Sequence, residues 1–383
     1  MIRTIDLFSG AGGFTARLDK NLFSVGYALD MDPAAQAVYR RNRPDTSFLL
    51  EDVSCITDFK ALMKHSDILL AGPPCQGFSL VGMKTKPILS AKSLYDPAKD
   101  PRNLLPLEVP RVAKQMRPEI IIMENVPAMN NQYVKLEGKY TLIVSAVRNS
   151  LEHLGYMVTE PFILEASKLG IAQRRKRSFI VATLNTLVSQ TEITKAQEVY
   201  FQHHGNKNLS DAIKDLVSYP MGHTKSKIIP SYPDHIGRVP NSDDLKIIRN
   251  LRPGEDYKSL LERMPEVVAG RIHKTYSLKS FKDKFYRLSW SAPSRTIVAH
   301  LQKDGNSFIH PSLNRSISVR EAARIQSFND DFSFGVAMVP AYRLIGNAVP
   351  PLMGKFLVET VSRITGLLNE KTSETSQYAG LVS

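Results

Sequence analysis

Over its first 185 residues the chain sets short apolar runs against longer amphipathic ones, and this alternation limits the fold more than any other property of the sequence. Residues 4–8, 25–30, Ser47–Leu50, 67–71, 119–124, 156–164 and 178–183 read as strands, and 34–41, 104–116 and 140–154 read as helices between them. Parallel strands need a crossover of a dozen or more residues, usually helical. The pattern therefore predicts an α/β fold, a doubly wound, Rossmann-like and mostly parallel sheet. Apolar residues at 43% and charged residues at 23% leave enough material for a sizeable core and exclude wholesale disorder.

From about residue 184 the texture becomes polar and irregular, with seven of the nine histidines and frequent Pro and Gly. This predicts a second, smaller domain over 184–317, with 1–183 as the first domain, 318–368 returning to it, and 369–383 a frayed tail. Fifty Lys and Arg against thirty-seven Asp and Glu give a formal charge of +13, which points to a polyanionic partner. The two cysteines, Cys55 and Cys75, exclude a disulfide framework and a four-cysteine zinc site, and no metal is expected. With no signal peptide and no apolar stretch long enough to span a bilayer, a cytoplasmic protein without membrane contacts is expected, acting as a monomer.

The first strand ends in Asp6-Leu7-Phe8-Ser9-Gly10-Ala11-Gly12-Gly13-Phe14, a glycine cluster opening into a helix, where backbone N–H groups can approach a ligand closely. The next strand ends in Asp30-Met31-Asp32, placed for an acid to accept both hydroxyls of a ribose. An adenosine-type ligand follows. The dinucleotide fingerprint calls for glycine at position 15, where this chain has Thr15, which weakens a nicotinamide reading.

A second apolar strand runs into Gly72-Pro73-Pro74-Cys75-Gln76-Gly77-Phe78-Ser79, whose prolines stiffen the turn and present Cys75 at the carboxyl end of a strand. A thiolate there is a nucleophile, whereas Cys55 reads as a small buried hydrophobe. One strand later Glu124 ends another buried run, and burial argues for a raised pKa and a proton donor. Gln173-Arg174-Arg175-Lys176-Arg177, taken alone, reads as a solvated basic run or a localisation signal more readily than as part of a site.

These segments, with Glu124-Asn125-Val126 and the closing Gly346-Asn347-Ala348-Val349-Pro350, occur together and in order, and in them the chain resembles the cytosine-C5 DNA methyltransferases. The likeness covers about 1–183 and 287–356 and leaves out the variable stretch in which family members read their target sequence. It implies the class I methyltransferase fold, S-adenosylmethionine as cofactor and double-stranded DNA as substrate, with 184–317 as the target-recognition domain. A cognate restriction endonuclease, or another defence component of the same system, is the implied companion.

Carried over by resemblance, Cys75 is the nucleophile on C6 of a flipped-out cytosine and Glu124 contacts its N3 and N4 edge. Arg175, reaching towards the base carbonyl, and Arg177 complete the implied catalytic set. The implied cofactor pocket consists of Phe8 stacked on the adenine, Gly10, Ala11, Gly12 and Gly13 along the methionine part, Asp30 on the ribose, and Met31, Asp52, Val53, Pro73, Leu104, Asn347 and Val349 around them. Gln76 and Ser79, before a long lid from Leu80 to Arg102, Arg102 at its end, and Lys279, Lys282, Lys284, Arg287 and Arg295, in a stretch from Arg271 to Arg295 with seven Lys and Arg against the single acid Asp283, are the expected DNA contacts. Transfer-RNA methylation by the same fold and a DNA-binding regulator without catalysis are the alternatives. The long variable segment argues against the first, and the presence of Cys75, Glu124 and Arg175 against the second.

Overall fold

The computed structural model describes residues 1–74, 100–223, 231–267, 285–301 and 305–368. Strand and helix alternate as the sequence predicts: β1 (Ile2–Leu7), β2 (Phe23–Asp30), helix α1 (Pro33–Asn42), β3 (Ser47–Leu50) and β4 (Ile68–Ala71) lead to the helix Glu108–Met116 and then β5 (Ile120–Asn125). The hairpin β6 (Tyr133–Leu136) and β7 (Lys139–Leu142) precedes the helix Ile143–His153, and the short strands β8 (Met157–Val158), β9 (Phe162–Glu165) and β10 (Gln173–Arg174) precede β11 (Lys176–Thr183).

The main sheet has the order β3-β2-β1-β4-β5-β11-β8, with β9 also paired to β11. Its first five strands are parallel and β11 is antiparallel to β5. Every residue of β4 and β5 is buried, as a parallel strand covered on both faces requires. Leu7 aligns with Ala71 and with Leu29, so the segments after β1, β2 and β4 leave from one edge. The winding reverses between β1 and β4, which makes their carboxyl ends the switch point where such sheets take ligands. Helix α1 starts cleanly there, because Asp32 caps Ala34 N–H and Pro33 supplies a preset first turn.

Two elements differ from the sequence reading for local reasons. The strand expected over 156–164 is broken into β8 and β9 around Pro161, which has no N–H to give a ladder. The helix expected from 140 begins at Ile143, because Glu137 and Gly138, with φ of 48° and 84°, turn the chain into a hairpin that claims Lys139–Leu142.

The chain divides into two compact units, one of Met1–Leu169, Lys176–Gly205 and the chain from Val349 on, the other of Gly170–Arg175 and Asn206–Ala348. The boundaries differ from those expected at 184 and 318. The helix Gln190–His204 stays in the first unit, started by a capping box of Ser189 and Glu192 and packed through Tyr200 on Phe356 at 5.5 Å. Residues 318–348 stay in the second unit, where Arg320 donates to the carbonyls of Pro233, Asn329 and Phe332 and to Asp234.

The second unit has a small apolar cluster of Ile247, Ile248, Leu251, Tyr257, Leu260, Phe285 and Ile309. Buried arginines do much of the rest. Arg287 binds the carbonyls of Ile248, His310 and Leu313 and the side chain of Asn314, and Arg315 pairs with Glu321 through both nitrogens at 2.7 Å. Irregular backbone leaves carbonyls without ladder partners, and an arginine with five donors can satisfy several at once.

Among the described residues no helix is long and apolar enough to cross a membrane, and no group of His, Cys, Asp and Glu could hold a metal ion.

Candidate active site

The glycine loop leaves β1 through Phe8 and Gly10, with φ of 55° and 53°, and tightens at Gly12, with φ of 81° and its N–H bonded to Ser9 O at 2.8 Å. Asp30, at the end of neighbouring β2, accepts from Gly10 N–H at 2.8 Å and Asp32 N–H at 2.9 Å. Burial pushes the Asp30 carboxyl above its ordinary range, and those two N–H groups work against the shift. Ser9 Oγ is buried without a hydrogen-bond partner among the described residues, and the space beside Gly10 where a Cβ would stand is open. Met31 is 69% exposed, while Val53 is buried behind Asp52, whose carboxylate caps Ser54 N–H. Pro73 is buried and Leu104 packs on the core of the sheet.

At the same edge β5 delivers Glu124 and Asn125. Glu124 is 6% exposed, and its Oε1 lies 2.7 Å from Arg177 Nε. Asn125 Nδ2 donates to Pro73 O at 3.1 Å, tying β5 to the strap that follows β4. A Cβ on Gly72 would stand 3.7 Å from Glu124 Oε2, so the strap leaves beside that carboxylate. The sequence reading of Glu124 had burial alone to work with; the ion pair and the Asn125 tie join positions far apart in the chain.

The other expected site residues separate into three groups. Cys75, Gln76 and Ser79, most of the lid, and Lys279, Lys282 and Lys284 lie outside the described residues. Arg175 and Arg287 are corrected, since both are buried within the second unit. Arg175 is 1% exposed, and its terminal nitrogens donate to the carbonyls of Ile297, Gly346 and Ala348 at 2.8 to 3.0 Å. A guanidinium committed in this way holds backbone. Arg102 is hydrogen-bonded to Asp100, and Arg295 lies over the rings of Tyr286 and Phe308 at 5.1 and 5.9 Å. Asn347 is exposed at the end of the helix Met338–Asn347, and Val349 is buried in the first unit.

Cys55 is also corrected, because it is exposed: it ends a single turn in which Val53 alone is buried.

The sequence reading missed Tyr39 and Gly354. A Cβ on Gly354 of the C-terminal helix Pro351–Ile364 would lie 2.9 Å from both Cα and O of Phe14, so that helix presses directly on the glycine loop. A glycine inside a helical pattern was the one available signal.

With this geometry in view, residues 2–363 match the model of the C-5 cytosine-specific DNA methylase family. The chain belongs to that family. Its fold and enzyme class are therefore those of the cytosine-C5 DNA methyltransferases. Among curated proteins, this family member is similar to the type II methyltransferase M.Eco47II of Escherichia coli, at 30% identity over 94% of this chain and 79% of that protein. The type II methyltransferase M.AgeI of Thalassovita gelatinovora is 27% identical over 94% of this chain and 99% of its own length. Among solved structures, the S. pombe Dnmt2 methyltransferase aligns with a TM-score of 0.59 at 18% identity, over 96% of this chain and 100% of that one, a likeness of fold.

Members of the family use S-adenosylmethionine, and the residues around the glycine loop fit it. Asp30 and the unpartnered Ser9 hydroxyl can meet hydroxyls, and the open side of Gly10 admits a ligand against the backbone.

Proposed function

We propose that the chain methylates C5 of a cytosine flipped out of duplex DNA, through a covalent bond from Cys75 Sγ to C6. The observation that supports this reading most is the ion pair of buried Glu124 with half-buried Arg177 beside the strap that runs into Cys75. Two opposite charges in an apolar sheet edge suit a polar heterocycle better than they suit packing.

When bound, S-adenosylmethionine supplies an electrophilic methyl group. Phe8, the turn from Gly10 to Gly13, Asp30, Met31, Asp52, Val53, Pro73, Leu104 and Val349 would hold it. The thiolate of Cys75 adds to C6, its electron pair forming the S–C6 bond while the C5–C6 π pair moves onto C5, the atom that accepts the methyl group. Glu124 hydrogen-bonds the N3 and N4 edge and takes up charge as it develops there. Arg177 orients Glu124, and with Arg175 committed to backbone it is also the arginine that would stabilise the ring carbonyl. Loss of the C5 proton to water and departure of the Cys75 thiolate restore the aromatic ring. Extrusion costs a few kcal/mol of unstacking. The second unit would supply the grip and read the sequence, with Lys279, Lys282, Lys284 and Arg295 towards the DNA. A restriction endonuclease is the companion suggested by the type II relatives, and the cytoplasm the place of action.

Duplex carrying 5-fluorocytosine at the target tests the reading, since fluorine cannot leave as a proton. A covalent complex that survives denaturation with wild type and is absent with Cys75→Ser supports it. No complex with wild type, in a preparation that methylates plasmid DNA by bisulfite sequencing, overturns the covalent route.

A further inference from the structure

Beneath the glycine loop lie three buried side chains that the proposed reaction leaves without a task. Tyr39 Oη donates to Asp6 Oδ2 at 3.1 Å, and Thr15 Oγ1 lies 3.4 Å from the same carboxyl oxygen and 2.9 Å from Tyr39 Oη. Thr15 Oγ1 also reaches Gly12 O at 3.2 Å. None of the three residues is more than 2% exposed. They come from different places in the chain: the end of β1, the turn after the glycines, and α1. The ring of Tyr39 meets the loop as well, since a Cβ on Gly12 would lie 2.9 Å from it. Arg43 closes the far side by donating to the carbonyls of Thr15 and Leu18.

We infer that Thr15 and Tyr39 are positioning residues which, with Asp6, clamp the turn from Gly12 to Thr15 in the shape that receives the cofactor and so set its affinity without touching it. The inference rests on the S-adenosylmethionine reading above. Thr15 occupies the position where the dinucleotide fingerprint has a glycine that allows close helix–strand packing. Here a hydroxyl takes that place and joins the loop to the strand by hydrogen bonds.

The arrangement acts on the loop and not on stability alone, because the backbone it holds is continuous with Gly10, whose N–H is bonded to Asp30. A slackened turn at Gly12 shifts that N–H and, with it, the carboxylate offered to the ligand. Burial pushes the Asp6 carboxyl up to about 8, so at neutral pH it holds a proton and adds a third donor to the two hydroxyls, while Gly12 O is a further acceptor for Thr15.

Calorimetric titration of purified full-length protein with S-adenosylmethionine, together with melting curves of the same samples, tests the clamp. Thr15→Val and Tyr39→Phe should each weaken binding by about 5- to 30-fold, the effect of leaving one buried polar group unpaired, while Thr15→Ser, which keeps the hydroxyl, binds like wild type. In saturating cofactor kcat should stay within about twofold of wild type while KM for the cofactor rises. Exchange of the amides from Gly10 to Ala16 should quicken in both weakened variants. Variants that melt lower yet bind with wild-type affinity overturn the inference, leaving the three residues as ordinary core. Should Thr15→Val fail to fold, Tyr39→Phe, which removes one atom, carries the same test. Wild type that takes up no S-adenosylmethionine overturns the cofactor reading and the clamp together, whereas equal affinity across the set overturns the clamp alone.

Discussion

Arg177 Nε stands 2.7 Å from Glu124 Oε1, although the two residues are distant in sequence. The register of β11 on β5 explains it. Phe179 faces Glu124, so Arg177, two residues earlier on the same face, is the diagonal neighbour of that carboxylate. Arg175 falls outside β11 and turns into the second unit.

The two arginines should therefore fail in different ways. Arg177→Ala is expected to lower the single-turnover methylation rate by about 10² to 10³ with little change in melting temperature. Arg175→Ala, which leaves three buried carbonyls without their donor, should cost about 2 to 4 kcal/mol in urea unfolding. If Arg175→Ala proves stable but inactive, the roles of the two arginines are reversed.

Asp30→Ala should weaken S-adenosylmethionine binding by about 1.5 to 3 kcal/mol, the range for hydrogen bonds to a charged group. Unchanged affinity by calorimetry would place the ribose elsewhere.

A methyl group added at Gly354 has to displace Phe14 backbone, so Gly354→Ala should destabilise by about 1 to 3 kcal/mol and weaken cofactor binding along with it. Gly26→Ala is the matched control. A Cβ there meets nothing within 4 Å, and its effect should be within about 0.5 kcal/mol of zero.

Glu359 is buried in the C-terminal helix, and burial raises its carboxyl to about 7, with Lys355 and Arg363 opposing the shift and Asp19 adding to it. A folded-state value above the unfolded one means that the native protein holds the extra proton between about pH 4.5 and 7. Stability from this group is thus full at acid pH and is lost as pH rises through 7. Glu359→Gln should match wild type near pH 4.5 and exceed it by roughly 1 to 3 kcal/mol at pH 8, which denaturation across that range would show.

How legible these features were in the sequence depended on how local their causes are. Strands β1 to β5 and helix α1 stood out because composition, caps and periodicity all act within a few residues. The hairpin Tyr133–Leu142 did not, because the apolar spacing of 140–154 runs on smoothly into a helix, and the positive φ at Glu137 and Gly138 that makes the turn is seen only in the structure. The roles of Arg175 and Arg177 were interchangeable in sequence, because a basic side chain carries no sign of whether its partner is a carboxylate or a carbonyl. Cys55 read as buried on residue type alone, and a one-turn helix at the surface decided otherwise.

Salt dependence should separate lysines that meet phosphates from arginines that hold backbone. Replacing Lys279, Lys282 and Lys284 together by Gln should flatten the slope of log affinity against log salt by about 0.9 for each phosphate no longer neutralised, with the preferred sequence kept. Arg287→Gln should leave that slope alone and lower the melting temperature, because its guanidinium is bound to Ile248, His310, Leu313 and Asn314.

The acceptors of the buried arginines in the second unit are mostly main-chain oxygens, and a main-chain oxygen is present whatever residue occupies the position. A segment fixed in this manner can have its side chains rewritten without losing its anchor points. Such a unit is a mount indifferent to what is mounted on it: new side chains can be tried on the outside while Arg175, Arg287 and Arg320 keep the same backbone path within.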